Sequence, residues 1–238
     1  MFTTRSHGCP IRRLRLPAAF VALLAFASPA WGQSVSVGAD VVSRYVWRGA
    51  DFGESMAVQP AITFGAGGLE FGAWGSYSIS RSGADANEND LWATYTVAAS
   101  SGLSVSFGFT DYYFPSPDAE AGFSAGDAHT LEASLAFSGP ETFPVTLLGG
   151  VLTGGGDLYV EAGVPFTVSA VDVALHMGFV GGESVFYGTE GAALINVGVT
   201  ASKALRITET FEVPVSVAYI LNPDQDRAYL VFGFSIAP

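Results

Sequence analysis

Leu103-Ser104-Val105-Ser106-Phe107-Gly108-Phe109-Thr110 alternates without a break. Every odd-numbered residue is large and apolar; every even-numbered one is small or weakly polar. In an extended chain successive side chains leave on opposite faces, so this stretch is a strand with one greasy face. The same period returns downstream, where Leu131, Ala133, Leu135 and Phe137 oppose Thr130, Glu132, Ser134 and Ala136. Near the end, Ala228, Leu230, Phe232, Phe234 and Ile236 oppose Arg227, Tyr229, Gly233 and Ser235. Near the start, Val35, Val37, Ala39, Val41, Tyr45 and Trp47 share one face, against Ser36, Gly38, Asp40, Arg44 and Arg48.

Twelve such segments fit the chain: 35–49, 55–64, 69–79, 90–99, 103–114, 129–138, 144–153, 157–168, 171–181, 192–201, 206–220 and 227–237. Most are long enough for a tilted strand to cross a bilayer, which takes about 9–11 residues. The connections sort by parity. Those at 65–68, 100–102, 139–143, 169–170 and 202–205 are short. The long acidic ones, 80–89, 115–128 and 182–191, all fall on the other side, together with two short ones, 154–156 and 221–226. Short turns at one end and longer loops at the other are the habit of outer-membrane barrels. The pattern predicts an all-β fold: a twelve-stranded antiparallel up-and-down transmembrane β-barrel.

Alternation alone leaves open which face is inside, because a soluble sheet packs its apolar face inward. The polar face here is Ser, Thr, Gly and Ala, with few of the Lys and Glu that coat soluble surfaces. Tyr45, Trp47, Phe64, Tyr77, Tyr113 and Tyr219 lie at segment ends, where interfacial aromatic girdles are expected. Both features turn the apolar face toward lipid. Pro60, Pro165 and Pro214 fall inside predicted strands; each removes a ladder donor, so bulges or local breaks are expected there.

The first residues read as an address. Arg5, Arg12, Arg13 and Arg15 precede a short apolar stretch, Leu16 to Ala27, and small residues around Ala30 and Gly32 offer a cleavage site. Residues 1–32 are therefore expected to be a secretory signal peptide, and 33–238 the barrel. Cleavage would remove four of the ten basic residues and no acidic one, leaving six against 22, and would also remove Cys9, the single cysteine. A cysteine-free exported domain is held by something other than disulfides. With 49% hydrophobic and 13% charged residues the chain is not disordered. It has no 18-residue apolar run, which excludes a helical membrane protein. Its acidic balance argues against nucleic acid as a partner.

Ser43-Arg44-Tyr45-Val46-Trp47-Arg48-Gly49 resembles the opening signature of the TorF family of porins, which carry the Gcw_chp domain. Further matches follow in order: Gln59-Pro60, Gly72-Ala73-Trp74-Gly75-Ser76, Glu88-Asn89-Asp90-Leu91 and Asp111-Tyr112-Tyr113-Phe114-Pro115. The detailed match covers residues 35–115 and continues as strand spacing. The resemblance implies an outer-membrane barrel with a pore function. It supplies no catalytic residues and no solute.

On the strand parity Asp40, Arg44, Arg48, Glu70, Glu132, Glu161, Asp172, His176, Glu212 and Arg227 face the lumen. The first and last strands must meet for closure, which brings Arg44 and Arg48 near Arg227 toward the outer mouth. Glu132 and Glu161 come from the opposite wall. Two readings stay open: a constriction with a transverse field that selects ions, or salt bridges that fill a narrow lumen. Eight strands enclose just enough room for side chains and about 16–18 enclose a channel, so twelve decides neither.

Other patterns carry less. The carboxylates of Asp85, Glu88 and Asp90, and of Asp118, Glu120 and Asp127, form acidic outer clusters that read as solvated surface, with bridging divalent cations as the alternative. Gly122-Phe123-Ser124-Ala125-Gly126, followed by His129, matches the Gly-x-Ser-x-Gly nucleophile pattern but lies between strands, without the helix that pattern requires. Its functional alternative is a barrel-wall lipid hydrolase. Gly149-Gly150 and Gly154-Gly155-Gly156 lack the lysine of a phosphate loop. Three histidines and one cysteine give no metal site. The expected activity is passive diffusion of small hydrophilic solutes or ions through the outer membrane. No catalysis and no cofactor are expected, lipids and solutes are the partners, and assembly into a homo-oligomer stays open. The other class is a closed structural or adhesive barrel.

Overall fold

The computed structural model describes residues 33–80, 87–115, 123 and 126–237; the expected leader, residues 1–32, lies outside them. The strands in chain order are β1 (Gln33–Val42), β2 (Val46–Trp47), β3 (Ala50–Asp51), β4 (Ala57–Ala66), β5 (Leu69–Ser78), β6 (Glu88–Ala98), β7 (Ser104–Tyr113) and β8 (His129–Ser138). Then come β9 (Thr146–Leu152), β10 (Leu158–Val168), β11 (Val171–Val180), β12 (Glu183–Ser184), β13 (Thr189–Glu190), β14 (Ala193–Arg206), β15 (Glu212–Asn222) and β16 (Arg227–Ile236). Twelve of them close an antiparallel barrel in the order β1-β16-β15-β14-β11-β10-β9-β8-β7-β6-β5-β4. β2–β3 and β12–β13 are two separate small hairpins.

Register fixes the faces. Phe107 pairs with Leu135 and Tyr95, and Val35 with Phe64. These side chains point outward: Phe107 is 57% exposed, Leu135 50% and Phe232 55%. The alternate positions line the interior. Toward the end that carries the short turns, that lining is Ser36, Thr63, Thr96, Ser106, Ser134, Thr146 and Thr200, all partly or fully accessible. Small polar side chains here leave cavities, one of about 480 Å3 beside Ser34, Glu70 and Thr96. Closure leaves the barrel strands no free edge, which explains how a fold without disulfides or a large dry core holds together.

The prolines sit where a missing N–H costs no ladder bond. Pairing of β4 with β5 lapses at Gln59 and Pro60, while Pro60 still faces Ala39 on β1. Pro165 lies beyond the last β9–β10 pair, at Gly163, and Pro214 beyond the last β15–β16 pair, at Val215. The expected breaks are therefore present, and they are local.

Two stretches depart from the expected strand bounds by more than two residues. The first strand ends at Val42 rather than 49. Trp47 pairs with Ala50, so Arg48-Gly49 is a two-residue hairpin turn, with φ of 48° and 78°. Positive φ at both central residues is the type I′ turn that suits a tight hairpin. The chain therefore reverses where letter alternation had suggested a continuing strand. The turn expected at 202–205 is displaced, because β14 runs on to Arg206 and β15 starts at Glu212. The strand ends at Val42, Tyr113 and Val180 lie at one end of the barrel, and the connections 67–68, 99–103, 139–145, 169–170 and 207–211 at the other.

Candidate functional site

The β2–β3 hairpin folds back into the loop end of the barrel. Tyr45 and Trp47, expected in the outer girdle, are inside instead; Tyr45 is 7% exposed. The girdle assignment fails for these two because the chain has left the wall at Ser43. The hydroxyl of Ser43 accepts from the Phe232 N–H at 2.9 Å, and the Ser43 N–H donates to the Phe232 carbonyl at 2.8 Å. Inside, Tyr45 packs on Trp74 with ring centroids 5.5 Å apart. Trp47 meets Tyr112 edge-on at 5.4 Å and stacks on Tyr187 at 6.0 Å. Tyr187 is carried by the second hairpin, and Tyr159, with no exposed surface, stacks on it at 5.7 Å. Each such aromatic pair is worth about 0.5–1.5 kcal/mol beyond its burial. Together they plug the loop end with rings from two hairpins and three walls.

Arg48 stands at the hairpin tip and crosses the lumen. Its Nη1 donates to Glu132 Oε2 at 2.5 Å and its Nη2 to Glu132 Oε1 at 2.9 Å, a two-pronged ion pair. Nη1 also donates to the Tyr187 hydroxyl at 2.6 Å. The guanidinium carbon lies 4.3 Å from the ring centroids of both Trp47 and Tyr159. The two side chains of the pair are only 9% and 4% exposed. Burial opposes the charge on Arg48, but the Glu132 hydrogen bonds and the fields of Tyr187 and Glu132 outweigh it, and the guanidinium is held above its ordinary range. Burial pushes the Tyr187 phenol up to about 12 against the field of Arg48. Burial, reinforced by the Glu88 carboxylate, raises Tyr45. Both phenols stay neutral at pH 7.

Gly49 is what lets the tip reach the far wall. A Cβ built on it would lie 1.9 Å from the backbone oxygen of Ile195. Its own carbonyl accepts from Asn222 Nδ2 at 3.1 Å. Ile195 is turned inward by a bulge: Gly178 pairs with Asn196 and Phe179 with Leu194, leaving Ile195 as the extra residue, 1% exposed.

The remaining lumen candidates divide by position. Glu161 accepts from the Tyr159 hydroxyl and from Asn196 Nδ2 at 2.9 Å, and His176 Nε2 bonds Asn196 Oδ1 at 3.1 Å. Arg44 leaves the wall and pairs with Asp51 at 2.6 Å near the mouth. Burial raises the Asp51 carboxyl even against the field of Arg44. Arg227 is exposed at the mouth. Asp40, Glu70 and Asp172 are accessible on the inner face. Glu212 lies at the opposite end, pairing with Arg206 in solvent, so it takes no part in a constriction with Arg48. Arg48 and Glu132 are in contact, so no open gap with a field across it separates them.

Glu88 and Asp90, read as part of a solvated outer cluster, are instead buried in the lumen at 2% and 8% exposure. They open β6 on its inward face, under Tyr45 and Tyr112. Asp85, Asp118 and Glu120, and the side chain of Asp127, lie outside the described residues. So do Gly122, Ser124 and Ala125 of the nucleophile pattern. His129 Nδ1 is 2.8 Å from Asp111 Oδ1 and its Nε2 is 2.8 Å from the Phe123 carbonyl. Both partners only accept, so both nitrogens donate, and neither is free to take a proton. Among the described residues, no group of three or more His, Cys, Asp or Glu side chains could hold a metal ion.

The plug residues that sequence reasoning missed are Tyr112, Tyr159, Tyr187, Ile195, Asn196 and Asn222. Tyr159 shares inward parity with Glu161, and Tyr112 with Thr110, so those two were readable. Tyr187 depends on how a loop folds back.

No curated protein matches the chain. A family model described as a bacterial protein of unknown function (Gcw_chp) matches residues 26–230, and by that match the chain belongs to the Gcw_chp family.

Proposed function

We propose that this barrel is an outer-membrane channel for small hydrophilic solutes or ions, closed at its loop end by a displaceable two-hairpin plug. The observation that carries the reading is the inverted wall: Phe107, Leu135, Phe232 and their neighbours are exposed outside, while Ser, Thr and Gly line the turn end of the interior. Large exposed apolar surfaces are rare on soluble proteins and mark membrane contact. In hydrocarbon every backbone polar group must be paired, and a closed sheet meets that demand. The resemblance to the TorF porins supports a pore. The leader read at residues 1–32 supports export. In this reading the loop end faces the exterior and the turn end the periplasm.

A second reading, a closed structural barrel, is favoured by the Arg48–Glu132 pair across the lumen. The two part in planar bilayers. The channel reading predicts discrete conductance steps from the purified protein, with a weak cation preference from the carboxylates on the inner face. A membrane that stays silent with both the wild-type protein and a plug variant would leave only the structural reading.

A further inference from the structure

At the mouth, the two hairpins, the turn before β16 and β16 itself line an open cavity of about 430 Å3. A water occupies about 30 Å3 of liquid, so there is room for an amino acid with its hydration. Arg44, Asp51 and Glu54 come from the first hairpin and its flanks, Phe186 from the second, and Arg227 and Tyr229 from the wall. All four charged groups line this one cavity together with Tyr229.

Their pairing is uneven. Arg44 and Asp51 neutralise one another at 2.6 Å. Arg227 and Glu54 are both exposed and, among the described residues, make no hydrogen bond or ion pair through their side chains. The backbone of Glu54 is held at φ 47°, a left-handed conformation that side-chain-bearing residues rarely adopt. One unpaired cation and one unpaired anion face the same cavity. A plain anion would meet repulsion from Glu54, and a plain cation from Arg227. A molecule carrying both charges meets neither.

We infer that this vestibule binds a small zwitterion of the α-amino acid class, its carboxylate on Arg227 and its ammonium on Glu54. The inference rests on reading the loop end as a solute entrance, and it names the class of solute. Because both plug hairpins contribute walls, an occupant touches the elements that must move for passage.

The test is titration calorimetry on the full-length protein in detergent, with glycine, acetate, methylammonium and glucose as separate probes. Glycine is expected to bind saturably, with the other three at least about tenfold weaker. Arg227→Ala and Glu54→Gln should each weaken glycine about tenfold or more, since each removes one charge-assisted contact. Both side chains are exposed, so the variants should unfold on heating as the wild type does. Acetate or methylammonium matching glycine, glucose binding in its place, unchanged glycine binding in either variant, or no binding by any probe would each overturn the inference. Binding is read without conduction. Glycine heat from a protein that never conducts would end the channel reading and leave this site; conduction without glycine binding would do the reverse.

Discussion

Replacing Glu132 by alanine is expected to unlatch the β2–β3 hairpin and raise the open fraction of the channel. The substitution leaves the Arg48 guanidinium buried with only the Tyr187 hydroxyl and two aromatic faces around it. Removing one partner of a buried ion pair costs about 3–5 kcal/mol. The hairpin can escape that cost by swinging Arg48 into water. At about 1.4 kcal/mol per tenfold, the docked-to-undocked ratio falls by roughly 10² to 10⁴. Bilayer recordings should show longer or more frequent openings, and amide exchange across Val46–Asp51 should speed up. Glu132→Gln should do less, since the amide oxygen still accepts one hydrogen bond. The exposed Arg206–Glu212 pair is the contrast: removing it should cost no more than about 1 kcal/mol and leave conduction alone. If Glu132→Ala conducts and exchanges as the wild type does, the pair is not the latch.

Gly49→Ala should release the same hairpin by a different physical route. The added methyl would need to sit 1.9 Å from the Ile195 oxygen and 2.9 Å from its carbonyl carbon. Both atoms belong to the barrel wall, so the hairpin must give way. The φ of 78° adds the strain of a left-handed residue. Arg48 and Glu132 keep their chemistry in this variant, yet the tip no longer reaches the wall. Limited proteolysis should cut within 43–56, and conductance should resemble that of Glu132→Ala. Gly67 separates strain from collision: its φ is 63°, but a Cβ there meets nothing within 4 Å. Gly67→Ala should cost about 1 kcal/mol and leave the plug docked. Equal protease resistance in Gly49→Ala and the wild type would show that the close approach to Ile195 does not hold the tip.

The wall was legible because a period of two is a property of the strand itself. Phe107, Leu135 and Phe232 could be assigned to one face from their neighbours alone. The plug was not legible in the same way. Tyr45 and Trp47 continue the alternation of Val35 to Val41 in the letters, but the chain leaves the wall at Ser43, carries them inside and reverses at the Arg48-Gly49 turn. A tight-turn reading of those two residues was the signal available. The turn at 207–211 was missed for the opposite reason: Ile-Thr-Glu-Thr-Phe contains no Gly, Pro, Asn or Asp to mark it, so β14 ran on unnoticed. Glu88 and Asp90 look like loop carboxylates because what buries them, Tyr45 and Tyr112, comes from other parts of the chain. Arg48 and Glu132 were both placed in the lumen by parity. That they touch depends on the reach of a hairpin, which parity does not encode.

The most direct test uses neighbouring positions on β8. The single cysteine, Cys9, precedes the expected cleavage site, so Ser134→Cys and Leu135→Cys would each give one labelling site in the mature chain. The protein is reconstituted in vesicles, and a fluorophore at each site is challenged with spin-labelled acyl chains and with a small water-soluble thiol reagent. A label at position 135 should be strongly quenched by the acyl chains, and that thiol should resist the aqueous reagent. Position 134 should react with the reagent and escape the lipid quencher. Reversed behaviour, or a position 135 that reacts as freely as 134, would contradict a wall that turns its apolar side chains toward lipid.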